Sequence, residues 1–210
     1  MYKLLISAIL VCKAYSYNVC VVGGSSGLGK ELIYQSLSRN LTVLGLTSNT
    51  NPITLPCRRN SFKEIKSKVK FEHPDLCQES YWNNLSNLDY ENVIFTTSAK
   101  PFQSDYSDRL MKKILQDLPS SCNTISLVSA FGVGDSLKDS NAGIQIMNRW
   151  YLQDVYKAKN IQEEILNLQF PNIKKFIYRP KALSYGKTNI DSVTRKELAN
   201  EILSNIYGCL

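Results

Sequence analysis

The sequence predicts a single α/β domain built on a doubly wound parallel sheet. Three observations predict it. Short apolar runs alternate with segments whose apolar residues recur at helical spacing. The first of these runs ends in a glycine-rich turn that opens a helix, Gly23-Gly24-Ser25-Ser26-Gly27-Leu28-Gly29. The length, 210 residues, suits one compact core, since domains usually run to ~100–200 residues.

Taken in order, residues 18–22 are a short apolar run ending in glycines and read as a buried strand. Residues 29–39 read as a helix, because Leu28, Leu32, Ile33 and Leu37 lie on one face. A second strand follows at 41–46. A weaker third strand, at 65–71, comes after a loop holding Pro52, Pro56, Arg58 and Arg59. Residues 81–88 form a short helix and 92–97 a clear fourth strand. A helix at 107–118 is closed by Pro119. A fifth strand spans 124–129, and the longest helix spans 150–168. A sixth strand at 175–178 stops at Arg179-Pro180, and 194–207 is the last helix. Strands that alternate with helices pair in parallel through right-handed crossovers, which gives the doubly wound arrangement. There is no internal repeat, low-complexity tract or second core. About 30 residues follow Pro180, so any substrate cap is small.

Apolar residues make up 43% of the chain and charged residues 20%, the proportions of an ordinary globular domain. The net charge of +7 comes from scattered Lys and Arg residues. It reads first as a solvated basic surface and next as an attraction for a phosphorylated cofactor; nucleic acid is not an expected partner. Six cysteines occur, none in a CxxC pair, and His73 is the only histidine. No metal site and no disulfide framework are expected, and Cys20 reads as a core residue.

The first sixteen residues have the form of a secretory leader: a basic start at Met1-Tyr2-Lys3, an apolar run to Cys12, then small residues at Ala14 and Ser16. The mature chain would begin near Tyr17. The apolar run is too short to span a membrane. Such a leader directs secretion or, in some algae, plastid import. The other reading is a hydrophobic extension packed on a cytoplasmic domain. The sequons at Asn40 and Asn84 are too common by chance to decide between them.

The glycine turn stands where a dinucleotide-binding motif must stand, between a strand and a helix. Gly23 permits the tight turn, Gly27 lets the backbone approach a pyrophosphate, and Gly29 lets the helix pack on the strand. Free N–H groups at the helix start then face the phosphates. Ser25, Ser26 and Leu28 complete this candidate site. In such folds an acid after the second strand holds the ribose 2′-hydroxyl of NAD. Here Thr47-Ser48-Asn49 stands there, with no acid. Hydroxyl and amide groups can donate to a 2′-phosphate, and Arg58 or Arg59 can neutralise it. The expected cofactor is therefore NADP(H), ahead of NAD(H), although both arginines also read as simply solvated.

The spacing Gly-x-x-x-Gly-x-Gly resembles the short-chain dehydrogenase/reductase superfamily, a Rossmann-fold group. The resemblance implies that Asp75-Leu76 meets the adenine. Thr97 and Ser98, at the end of the fourth strand, would run beside the adenine ribose. The superfamily's serine falls on Ser129. Its Tyr-x-x-x-Lys pair is not reproduced: Tyr156 is followed four positions later by Asn160, and Lys159 lies three positions after Tyr156. Lys159-x-x-x-Glu163, Arg179-Pro180 with Leu183, and Lys196-Glu197-Leu198-Ala199 resemble the atypical members of flavin-reductase and biliverdin-reductase type, from about Asn18 to the C-terminus. That resemblance implies that Lys159 contacts the nicotinamide ribose and that the segment after Pro180 borders the substrate. Ser129 would touch the substrate and Tyr156 would be an optional proton donor. The residues alone leave other readings open: Ser129 as a strand-end cap, Tyr156 as a packing aromatic, and Lys159 as a solvated lysine paired with Glu163.

Two functions follow. One is an NADP(H)-dependent oxidoreductase passing hydride to a small or conjugated acceptor. The other is a non-catalytic NADP-binding redox sensor or assembly factor, for which a protein partner stays open. A nucleotide-sugar epimerase fits poorly, since such enzymes keep the tyrosine motif and carry a larger C-terminal domain.

Overall fold

A computed structural model describes residues 16–47, 69–72, 88–97, 106–139, 152–170, 172–184 and 192–208. The apolar run at 18–22 becomes the heart of the sheet. β1 (Ser16–Val22) lies between β2 (Val43–Leu46) and β4 (Asp89–Phe95), both parallel to it. β3 (Val69–Glu72) extends the β2 side. β5 (Thr124–Val128) and β6 (Lys174–Tyr178) extend the β4 side. The order is β3-β2-β1-β4-β5-β6, parallel throughout. This is the doubly wound Rossmann order, in which the winding reverses beside β1 and opens a crevice at the carboxyl ends of the strands.

Successive side chains of a strand point to opposite faces, and β1 shows what each face packs against. Val19 and Val21 pack with Leu28, Leu32 and Ile33 of α1 (Gly27–Ser38) and with Leu198, Ala199, Ile202 and Leu203 of α4 (Arg195–Tyr207). Cys20 and Val22 pack with Leu110, Met111, Ile114 and Leu115 of α2 (Tyr106–Gln116) and with Ile165 and Leu166 of α3 (Gln153–Gln169). Every strand residue from Val19 to Val22 is fully buried. Burial of a Val side chain is worth ~1.5–3 kcal/mol, so β1 anchors both layers.

The element ends depart from the expected ones for local reasons. α1 begins at Gly27, two residues early, because Ser26 is its N-cap and accepts a hydrogen bond from Gly29 N at 2.8 Å. α4 begins after Thr194, which forms a reciprocal capping box with Glu197. β2 starts at Val43 rather than residue 41, because Asn40 adopts φ 66° and Leu41 N still bonds back to Ser36 O. β4 starts at Asp89 and stops at Phe95; Thr96 and Thr97 leave the sheet toward the glycine turn. Two strands were not expected: β7 (Leu183–Ser184) and β8 (Val193–Thr194) pair in parallel just before α4. At two residues each, they carry no readable period.

Residues 65–68, 81–87 and 150–151 of the expected elements lie outside the described residues, as do residues 1–15 of the leader. Ser16 is the exposed first residue of β1. No helix among the described residues is long and apolar enough to cross a membrane, and no group of three His, Cys, Asp or Glu side chains there could hold a metal. Cys20 is fully buried, as its apolar setting implied.

Candidate functional site

The glycine turn is held against β2. Gly23 N and Gly24 N both donate to Leu46 O, at 2.8 and 3.0 Å, and Ser26 N donates to Gly23 O at 2.9 Å. Gly23 has φ 90°, a conformation few residues other than glycine adopt. A Cβ on Gly29 would stand 2.2 Å from Gly23 O. The helix start is therefore packed on the turn as closely as only a glycine allows. Within α1, Gly29 N serves the Ser26 cap and Lys30 N bonds Ser26 O. The amides of Gly27 and Leu28 are those a helix start leaves for an anion. No acid stands in the first turn of α1 to compete for it.

The two turn serines differ. Ser26 Oγ is occupied as the cap and lies 3.2 Å from Thr96 Oγ1. Ser25 Oγ accepts a 2.7 Å hydrogen bond from Thr47 Oγ1. Thr47 is buried directly after β2, and its hydroxyl hydrogen is committed to Ser25. Ser48, Arg58, Arg59, Asp75, Leu76 and Ser98 lie outside the described residues. Thr97 does approach the turn: a Cβ on Gly23 would lie 3.1 Å from its Cγ2.

Lys159 is 4% exposed, not solvated. An ammonium has three donors. Lys159 Nζ directs hydrogen bonds to Thr97 O at 2.5 Å, Val128 O at 2.7 Å and Gln162 Oε1 at 3.3 Å. It therefore ties the carboxyl ends of β4 and β5 to α3. Burial pushes its pKa down to about 8, although the nearby Asp108 and Glu163 charges pull it up. Asp108 on α2 is itself buried, which raises its carboxyl above the ordinary range.

The alternative pairing of Lys159 with Glu163 is overturned. Glu163 instead forms a bidentate pair with Arg179, at 3.0 Å from Nε and 2.7 Å from Nη2. Tyr156, Asn160 and Glu163 recur at i, i+4 and i+7 and share one stripe of α3. Tyr156 donates its hydroxyl to Phe131 O at 3.0 Å, and Asn160 Oδ1 accepts from Gly134 N at 3.1 Å. This stripe fastens the loop after β5. The Lys159 stripe fastens the strand ends.

Tyr156 is thus placed by its register on the loop side, and no Lys159 donor reaches it. Burial raises its phenol pKa, the opposite of what a lysine-activated proton donor needs. Ser129 directly follows β5, which stops one residue short of the expected end, and its amide bonds Tyr178 O at 2.8 Å. Its hydroxyl is buried and has no hydrogen-bond partner among the described residues, so it caps nothing there.

Asp108, Gln162 and Arg179 were not picked out as site residues. Asp108 had a signal: it falls at i−3 from Met111 on the apolar side of α2, where a carboxylate is out of place. Gln162 likewise falls on the buried side of α3.

The sheet order and the glycine turn together define an α/β domain of Rossmann fold. No protein-family model and no curated protein matches the sequence. Solved structures do match its architecture. One is ChuY, an anaerobilin reductase from Escherichia coli O157:H7, with TM-score 0.64 and 17% identity over 90% of each chain. Vestitone reductase from alfalfa matches with TM-score 0.64 and 14% identity over 92% of this chain and 74% of that one. A short-chain dehydrogenase/reductase from Vibrio parahaemolyticus matches with TM-score 0.56 and 13% identity over 89% of each. At these identities the likeness establishes the fold, which is the one expected from the glycine spacing.

Proposed function

We propose that this chain is an NADP(H)-dependent reductase of the atypical short-chain dehydrogenase/reductase type, acting on a small or conjugated acceptor. The observation that carries this reading is the glycine turn at the head of the central strand, with the Gly27 and Leu28 amides at the start of α1. The residues present fit a pyrophosphate: two amides, the positive end of the helix dipole, and no acid in the first turn. The two named reductases of the same architecture, acting on anaerobilin and vestitone, support the class of chemistry.

Gly23, Gly27, Leu28 and Gly29 would hold the pyrophosphate. Ser25, Ser48 and Arg58 would face the adenosine end, with Asp75, Leu76, Thr97 and Ser98 beside its ribose and base. When bound, the nicotinamide would supply a hydride. Ser129, just after β5 and with a hydroxyl that has no partner among the described residues, would orient the acceptor. Lys159 would keep the ends of β4 and β5 at the spacing the crevice needs, and Tyr156 would hold the substrate-side loop.

NADPH oxidation against a panel of quinones, flavins and carbonyls tests the proposal. Turnover of one class supports it. Tight NADPH binding with no turnover across the panel overturns the reductase reading in favour of a cofactor-bound scaffold.

A further inference from the structure

We infer that Asn40 is an N-linked glycosylation site, modified before the chain folds. The inference stands apart from the dinucleotide reading. It rests on the leader and on the turn between α1 and β2. A leader of the form of residues 1–16 carries a chain into the secretory lumen, where oligosaccharide is transferred to Asn-x-Ser/Thr. Asn40-Leu41-Thr42 satisfies that pattern, with no proline at the middle position. The fold adds what the pattern alone leaves undecided. Asn40 is exposed, in the turn that closes α1. Its backbone N–H bonds Leu37 O and that of Leu41 bonds Ser36 O, both at 3.0 Å, the pair that ends a helix through one left-handed residue. Asn40 is that residue, with φ 66°, and no other non-glycine residue among the described residues has a positive φ.

This turn lies at the amino ends of the strands, whereas the glycine turn bonds Leu46 O at the carboxyl end of β2. The four residues of β2 separate the two, roughly 13 Å of extended chain. A sugar on Asn40 therefore projects into solvent on the side away from the crevice. The third residue of the sequon fixes the order of events. Thr42 Oγ1 accepts from Asn18 N at 3.1 Å and donates to Asn18 Oδ1 at 3.0 Å. The hydroxyl that a transferase must read is thus pinned to β1 once β2 has docked. Transfer precedes folding, so a bond made by the Asn40 side chain in the finished protein does not oppose it. In the step, Asn40 Nδ2 loses one hydrogen as a proton and bonds the anomeric carbon of a lipid-pyrophosphate-linked oligosaccharide. The bond from that carbon to the pyrophosphate oxygen breaks, and the lipid pyrophosphate leaves with the electron pair. Nothing is oxidised or reduced.

The test translates the full chain in the presence of endoplasmic-reticulum microsomes, as wild type and as N84Q, N40G and T42S variants. Protection from added protease reports entry. Mass spectrometry after peptide-N-glycosidase reports the glycan, because a modified Asn40 is then read as Asp. N84Q removes the other sequon. N40G removes the acceptor amide and keeps the turn, since glycine adopts the left-handed conformation freely. Wild type and N84Q are expected to enter and to carry the glycan at Asn40. T42S keeps a hydroxyl at the third position and should keep the glycan; N40G should enter and lose it. Chain folded first, then offered to solubilised transferase with the lipid-linked donor, should stay unmodified. A wild type that enters bare at Asn40, a wild type that stays outside, or transfer to the folded chain would overturn the inference. Glycosylated wild type and N40G should bind NADPH within about twofold of each other; a larger difference would overturn the placement of the sugar away from the crevice. Binding of NADPH by neither would overturn the dinucleotide reading and leave the Asn40 site standing.

Discussion

Lys159 is the place where the structure makes its sharpest energetic statement, and Lys159→Met isolates it. Methionine keeps most of the aliphatic length and removes the ammonium. Two opposing effects follow. The carbonyls of Thr97 and Val128 lose a donor in a buried setting, at a cost of ~1–3 kcal/mol each. Removing a charge that burial has depressed from its ordinary pKa to about 8 returns a similar amount, since each pKa unit is worth about 1.4 kcal/mol. The net change at neutral pH is therefore undiagnostic, and the pH dependence carries the information. The folded amine releases its proton near pH 8 and the unfolded one near its ordinary value. Between them the unfolded chain binds more protons, so this group's contribution to stability rises with pH. Below pH 8 both forms are protonated and the full penalty is present. Wild type should gain about 2 kcal/mol on the methionine variant from pH 7 to about pH 10. Burial holds Cys20, Cys122, Tyr90 and Tyr207 protonated in the fold. These groups act in the opposite sense but are present in both proteins and cancel in the difference. Urea unfolding of both proteins across that range is the assay. A difference that stays flat, or falls as pH rises, would refute the buried, depressed lysine and the clamp built on it.

Two further outcomes follow from α3. Glu163→Gln removes the charge that faces Arg179, which is partly exposed. The cost should be about 1–2 kcal/mol, below that of a fully buried pair, and thermal unfolding should fall by roughly 3–8 °C; an unchanged midpoint would show that the pair contributes nothing. Tyr156→Phe deletes one hydroxyl that holds Phe131 O. Stability should drop by about 1 kcal/mol, and turnover on any acceptor found should stay within about threefold of wild type. A loss of ~10²–10⁴-fold would instead mark Tyr156 as a proton donor.

What could be read before the structure was local chemistry. The Val19–Val22 run is apolar enough to declare a central strand, and Gly23 to Gly29 declare their own turn because the backbone there admits little else. Even the Thr194–Glu197 capping box is written in four consecutive residues. What stayed hidden depends on partners far along the chain. Lys159 takes its role from carbonyls at Thr97 and Val128, 62 and 31 residues away. Glu163 has Lys159 as its neighbour at i−4 but pairs with Arg179, because β6 delivers that guanidinium to the same stripe. Thr47 looked like a ligand donor until the fold set Ser25 against it. The displaced tyrosine was visible in the spacing, whereas the loop carbonyl that receives its hydroxyl was not.

The central claim is that the turn at the head of β1 binds a dinucleotide, and it is tested most directly by titrating NADPH into the wild type and the Gly29→Ala variant. A methyl group on residue 29 would meet Gly23 O at 2.2 Å and must push the helix start off the turn. Saturable one-to-one binding to the wild type is the predicted result, with the folded variant at least about tenfold weaker, the equivalent of one charge-assisted hydrogen bond. No binding to the wild type, or equal binding to a folded Gly29→Ala variant, would contradict it.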